Sequence, residues 1–302
     1  MYGGDANKGS DANDQSVLNT MELYTTLASN GYIDQKWSWV YKGVKRVNKA
    51  IQVMENVTDM PEAVRKSRTG ELKFLRALFY FEGIKVFGPF IPWVDETIAE
   101  NNPLIHNDKD IYSNVLADID DAIANLPNTQ DTPGRVNVWA AKALKAKILM
   151  QKGDMAAAKP ILKDVIENGK TSNGLAYGLE DDLDANFSSY TDNGKESIFA
   201  VQFSVDTINN GNVGMSLCYP HGGSGAPGGC CGLYQPSNEL ANSFKVDANG
   251  LPLLDNSYRN GDPVSYRNPS TEASAPLALN NNQIPVDPRL DFAIGRFGIP
   301  YK

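Results

Sequence analysis

Apolar side chains recur at steps of three and four through the first 170 residues of this chain, and beyond that point the rhythm stops. Trp37, Val40, Val44, Val47, Ile51 and Met54 form a single seam, which predicts an amphipathic helix over 34–57 with Asp34 as its N-cap. Residues 70–87 are apolar around most of a helix. Leu72, Leu75, Phe79, Gly83 and Val86 lie on one face and Phe74, Leu78 and Phe81 on a second, so this helix requires helical neighbours on more than one side. Gly88-Pro89 ends it, because proline lacks an amide donor and pushes the preceding residue out of the α region; Pro92 keeps the continuation extended. With a turn at 59–61, residues 34–87 form a helical hairpin.

A second helical region follows. Ile111, Val115, Ile119 and Ile123 share one face of a helix over 108–126, with Asp118, Asp120 and Asp121 largely opposite. Helices over 137–151 and 154–168 are joined by Gly153-Asp154, a tight turn whose aspartate caps the second helix. Small alanines at the crossing let two backbones approach, as in a tetratricopeptide-type hairpin. Pro160 falls inside the last helix, where it removes one ladder bond. Upstream, Val17, Leu18, Met21, Tyr24 and Leu27 suggest a short helix ending near residue 30, preceded by coil over 1–16. After residue 170 only 197–203 has clear strand propensity. Residues 204–235 read as a long glycine-rich loop, a short helix opens at Pro236-Ser237, and 247–288 returns to turns. The predicted fold is mostly α: a helical-repeat region over 1–170 and a loop-rich region over 171–302 with minor strand content.

Composition narrows the function. The 302 residues carry a formal charge of −8 and no Lys/Arg-rich run, which argues against a nucleic-acid partner. No apolar run reaches the length of a membrane helix, and residues 1–30 lack the pattern of a signal peptide. Gly223-x-Gly225-x-x-Gly228 has neither the strand before it nor the helix after it that a dinucleotide site needs. Asp182-x-Asp184-x-Asn186 begins like a calcium loop, but Phe187 occupies the glycine position and Asn193 that of the bidentate glutamate. With two histidines, His106 and His221, and no nucleophile motif, the chain reads as a non-enzyme without a cofactor. Cys218, His221, Cys230 and Cys231 match zinc in ligand number but contain no Cys-x2-Cys pair.

The core of the central helix, Leu75-Arg76-Ala77 with Tyr80-Phe81, followed by Phe87-Gly88 and Pro92, resembles the signature helix of the SusD/RagB family of outer-membrane nutrient-binding lipoproteins. Trp37-x3-Tyr41-x6-Asn48 with Ile51 resembles the family's preceding helix. Gly134-Arg135 running through Ala140, Ala141, Leu144 and Gly153-Asp154 resembles its second hairpin and 196–203 the strand that follows it, while 230–237, 250–255 and 287–291 resemble a family subset in the same order. The resemblance runs from about residue 20 to the end of the chain. It implies a cell-surface oligosaccharide-binding protein at the extracellular face of the outer membrane, sometimes taking peptides instead, which serves a TonB-dependent, SusC-like transporter and breaks no bond. It also implies a lipidated N-terminal cysteine and a further C-terminal part, neither contained in these 302 residues. For an exported chain, a disulfide from Cys218 to Cys230 or Cys231 competes with free buried thiols. The alternative is a tetratricopeptide adaptor for a protein or peptide.

Sugar recognition requires flat rings against pyranose C–H faces, with planar amide, carboxylate or guanidinium groups for paired hydroxyls. Tyr32, Trp93, Tyr219, Tyr234, Tyr258 and Tyr266 lie outside helices or at their edges, near Asn30, Asn209, Asn210, Asn212, Gln235 and Asn238. Tyr219, Tyr234 and Trp93, with Asn238 as polar partner, are the candidate ligand-binding residues. Trp37, Trp39, Tyr41 and Trp139 are expected in the core, although Trp39, two residues from Trp37, faces another way.

Overall fold

The computed structural model describes residues 3–10, 12–99, 102, 104–203, 232–261, 264 and 285–295. The chain divides into two compact units, one of Gly31–Asn210 and one of Met1–Asn30 together with Gly211–Lys302. The boundary expected at 170/171 falls inside the first.

The unit Gly31–Asn210 is built from helices α2 to α6, α1 lying in the other unit: α2 spans Gly31–Glu55, α3 Glu62–Phe87, α4 Tyr112–Asn125, α5 Val138–Lys152 and α6 Met155–Asn168. Each packs chiefly on its neighbours in the chain. Antiparallel packing of α2 on α3 follows from which ends meet: the Trp37 ring lies 5.1 Å from Phe87 edge-on, while Arg65 donates to the Met54 and Val57 carbonyls at the end of α2. The helix predicted at 70–87 begins eight residues earlier, because the polar residues 62–69 gain an i,i+4 pair, Glu62–Lys66, as well as this capping role for Arg65.

One continuous core joins α2, α3, α4 and α5 through Val44, Phe74, Ala77, Phe81, Ile84, Val115, Ile119, Ala141 and Leu144. Gly70 lets the start of α3 approach Leu126, 3.0 Å from where a Cβ would stand. The predicted alanine crossing of α5 and α6 is present: Ala146 and Ala158 are buried with Leu149 against Ile161 and Leu162. Asn137 and Asp154 cap these helices by accepting from the Ala140 and Ala157 amides, and α6 runs on through Pro160. Of the two apolar faces read on the central helix, the one with Phe74 and Phe81 is the more buried. Leu72, Leu75 and Phe79 are only half-covered and Val86 is exposed.

The other unit contains β1 (Ala6–Gly9), α1 (Asn19–Glu22), β2 (Leu233–Pro236), α7 (Asn238–Ser243) and α8 (Leu290–Ala293). Strands β1 and β2 are antiparallel, Asn7 opposite Gln235 and Gly9 opposite Leu233. Ala241, Val264, Leu290 and Ile294 form a small core. Two expectations are corrected here. Residues 197–203 form no strand; Phe199 instead turns inward and meets the Phe74 ring at 5.1 Å, so packing uses the apolar side chains without a paired edge. The strand lies at 6–9, within the segment read as coil, because its partner β2 is more than 200 residues away.

What organises Gly31–Asn210 is a buried guanidinium. Arg76 is 1% exposed. Its Nε and Nη2 donate to the two carboxylate oxygens of Asp118 at 2.6 and 2.8 Å, and Nη1 donates to Asn48 Oδ1 at 2.8 Å and to Glu96. Lys73 Nζ stands 3.3 Å from Glu96 and 3.2 Å from Asp118. The extended chain after α3 is pinned along the same hairpin, with Asn48 shared between the two sets of bonds. Tyr41 donates to the Pro92 carbonyl at 2.8 Å, Asn48 to the Val94 carbonyl at 3.0 Å and Gln52 to the Glu96 carbonyl at 2.8 Å, while the Tyr80 hydroxyl both accepts from and donates to the Val94 backbone.

Burial alone raises the pKa of the Glu96 carboxyl, but the Arg76 hydrogen bond and charge outweigh it and hold the group below the usual range. Removing one member of a buried pair leaves the other charged and unpaired, so Arg76→Ala should cost about 3–5 kcal/mol, read as a lower urea midpoint. An unchanged midpoint would refute the role given to Arg76. The depressed Glu96 pKa adds stability that is complete above the unfolded value of about 4.3 and is lost as pH falls through the folded value. Glu96→Gln should therefore flatten the acid limb of the stability–pH curve; equal slopes in parent and variant would exclude this.

Candidate functional site

The unit that holds β1 and β2 carries unusual backbone. Six non-glycine described residues have positive φ, and five of them, Ser10, Gln15, Tyr24, Tyr234 and Asn256, belong to this unit. Two are tyrosines. A bulky L-residue in the left-handed region is strained, and such strain concentrates where a side chain must be presented in one direction. Tyr24 at φ 56° is 68% exposed and Tyr234 at φ 57° is 43% exposed.

The backbone under Tyr234 is held on both sides. Upstream, Leu233 pairs with Gly9; a side chain at Gly9 would collide with the Gly232 carbonyl and with Gln235, so this strand position requires glycine. Downstream, Ser237 is buried and does three things. Its amide donates to the Asp5 carbonyl at 2.9 Å, its hydroxyl donates to the Gly4 carbonyl at 2.5 Å, and the same oxygen accepts from the Leu240 amide at 3.1 Å as the N-cap of α7. Asn238, the first residue of α7, is exposed beside it, as is Gln235. Glu239 then accepts from the Tyr258 hydroxyl and from Arg259 Nε, both at 2.7 Å. Within 234–239 the fold thus sets out an exposed ring, two exposed amides and a carboxylate already tied to a tyrosine and an arginine.

Of the predicted site residues, Tyr234 and Asn238 share this short segment. Tyr219 lies outside the described residues, together with Tyr266, Asn209, Asn210, Asn212, His221 and the three cysteines. Trp93 belongs to the Gly31–Asn210 unit, in the extended chain after α3. Its ring stacks on Tyr80 at 4.5 Å with 27° between planes, the Arg76 guanidinium stands 5.2 Å from its centre, and its Nε1 donates to Asp95 at 3.0 Å. Much of the indole is therefore covered by protein. Tyr24 was missed by the sequence reading, which placed it on the apolar face of a helix reaching residue 30. The helix stops at Glu22, whose carboxylate accepts from the Lys8 amide at 2.9 Å; Leu18 and Met21 are buried but Tyr24 and Leu27 are not. The 3–4 spacing carries no sign of this. Trp39 also departs from expectation, being 60% exposed.

Asp182 caps a 3-10 turn at Leu183–Asn186 by accepting from the Asp184 amide, a structural use of the calcium-like motif. Among the described residues no group of three or more His, Cys, Asp or Glu side chains could hold a metal ion, and no helix is long and apolar enough to cross a membrane.

The chain thus comprises a stack of helical hairpins and, as a separate unit, a segment that presents an exposed ring and amides. Residues 4–150 match the SusD-like family model described as starch-binding, associating with the outer membrane. A SusD-like protein of Bacteroides ovatus is 28% identical over 182 residues, 55% of this chain and 32% of that protein. Among solved structures, a laminarin-binding SusD-like protein is 25% identical with a TM-score of 0.59, over 67% of this chain and 44% of its own. A SusD superfamily protein from Parabacteroides distasonis shares the fold with a TM-score of 0.67 and 24% identity, over 80% of this chain and 52% of its own. The family likeness in sequence lies in residues 4–150, just under half of the chain. The alignments span about a third of the curated relatives' length and about half of those structures.

If the backbone at Tyr234 is strained, glycine there should relieve it. Tyr234→Gly is expected to exceed Tyr234→Ala in stability by about 1 kcal/mol, the cost of holding an L-residue in the left-handed region. Equal urea midpoints for the two variants would show that the residue bears no such cost.

Proposed function

We propose that this protein binds oligosaccharides at the cell surface without catalysis and delivers them to a TonB-dependent, SusC-like transporter, held at the extracellular face of the outer membrane by a lipid anchor. The observation that carries the reading is Tyr234: an exposed ring, held in strained backbone by β1 and Ser237, with Asn238 beside it. An exposed ring retains apolar area that a pyranose face can cover, and an adjacent amide satisfies the hydroxyls. The match of residues 4–150 to the SusD-like, starch-binding family model and the 25% identity to a laminarin-binding protein support the same class of ligand.

Tyr234 and Asn238 form the centre of the proposed site, and Tyr219 completes it. Trp93 offers a sugar only the ring area that Tyr80 and Arg76 leave open. An adaptor made of helical hairpins alone would leave the rigid 234–239 segment without a role.

Each ring contributes little, so binding is expected near micromolar, on the order of −8 kcal/mol. Calorimetry against β-glucan, xyloglucan and starch oligosaccharides should find at least one ligand whose affinity falls tenfold or more in Tyr234→Ala and in Tyr219→Ala. A ligand bound equally by the parent and both variants would refute the site. Accumulation of reducing ends would refute the absence of catalysis.

A further inference from the structure

The α2–α3 hairpin carries a second feature with the chemistry of a site. An open groove of about 600 Å³ runs between the helices, lined by Trp39, Lys42, Arg46 and Val47 on α2 and by Leu75 and Phe79 on α3. Its floor depends on Gly43, because a Cβ at that position would stand 2.6 Å from atoms of the Phe79 ring. The ring occupies the space that any side chain would fill.

The groove is electrostatically one-sided. Lys42 and Arg46 are exposed, neither makes an ion pair with a described residue, and no acidic side chain is among the lining residues. Helix α2 carries five Lys/Arg against two acidic residues, in a chain whose net charge is −8. Trp39, Lys42 and Arg46 stand at i, i+3 and i+7, hence on one face. At a rise of about 1.5 Å per residue, the cations lie roughly 4.5 and 10.5 Å along the axis from the indole. That is a row of charges beginning at a ring. A row fits an anion repeated along a polymer better than it fits one isolated anion.

We propose that this groove binds an anionic oligosaccharide bearing uronate carboxylates or sulfate esters. The exposed Trp39 indole takes a pyranose face, and Lys42 and Arg46 take the acidic groups of the units that follow. The proposal rests on the glycan-binding reading above and names an acidic class of ligand at a place separate from the 234–239 segment. A neutral glycan would leave both cations without partners. A second copy of the chain would bring Lys42 and Arg46 against the same cations, a like-charge contact that disfavours association.

Titration with oligogalacturonate and with a sulfated galactan oligosaccharide, beside neutral laminarihexaose, tests this, with circular dichroism confirming that each variant is folded. The expected result is binding of at least one acidic ligand that weakens tenfold or more in Trp39→Ala and in the double variant Lys42→Gln/Arg46→Gln. Binding should also fall between 0.05 and 0.5 M salt, by about the Debye screening of exposed charges, and should be unchanged in Lys163→Gln on α6. Acidic ligands bound equally by parent and groove variants would overturn the groove assignment, as would binding indifferent to salt. If the neutral ligand alone binds, and loses affinity in Tyr234→Ala, the groove fails while the glycan-binding reading stands. If none of these or the neutral panel binds, that reading fails as well. A dimer in light scattering that dissociates on Trp39→Ala would reassign the groove to self-association and overturn the proposal.

Discussion

Burying a guanidinium is costly unless its donors are satisfied and its charge is met, and Arg76 meets that condition by drawing on four places in the chain. Asp118 comes from α4, Asn48 from α2, Glu96 from the extended segment after α3, and Lys73 from one turn earlier on α3 balances the two carboxylates. Moving Asp118 or Asn48 alone would leave donors of the buried guanidinium unpaired. The apolar core of α2 to α5 gives this unit its affinity for itself, but apolar packing tolerates small slips. The fork of Arg76 on Asp118 does not, and so it sets the register of α3 against α4.

The same constraint accounts for the course of residues 88–96. A proline-containing extended segment has no ladder of its own, so its carbonyls need outside donors. Tyr41, Asn48, Gln52 and Tyr80 supply them from two helices. Trp93, placed by this segment, is stacked on Tyr80 under the influence of Arg76. Its ring belongs first to the architecture, which limits what it can offer a ligand.

The proposed sugar-facing segment is fixed by fewer restraints, and these come from the far end of the chain. In the β1–β2 unit, Ser237 ties the start of α7 to residues 4 and 5, and Tyr234 keeps a left-handed conformation between that clamp and the strand pair. Presenting a ring rigidly removes the entropy that a mobile tyrosine would lose on binding. On the α2–α3 face, the exposed indole and two cations stand on a helix already rigidified by its core side, so the same reasoning applies to a different set of groups.

Local periodicity was enough to establish helices α2 to α6 and the turns between them, because α-helical packing repeats every few residues; of the two caps expected, Asp154 caps α6, whereas Asp34 lies inside the first turn of α2, which begins at Gly31. The residues that carry the family resemblance, Tyr41, Asn48, Arg76, Tyr80 and Pro92, were visible as a pattern; that they form one hydrogen-bonded structure was not, since their partners lie 14 to 51 positions apart. The sequence also marked Tyr234 and Asn238 as loop groups suited to sugars. Only tertiary structure decided that Tyr234 sits in strained backbone, that Tyr24 leaves its apparent apolar stripe for solvent, that Trp39 is exposed and that 197–203 packs without pairing. Exposure and strand pairing depend on what the rest of the chain places alongside, and for β1 that neighbour is more than 200 residues away.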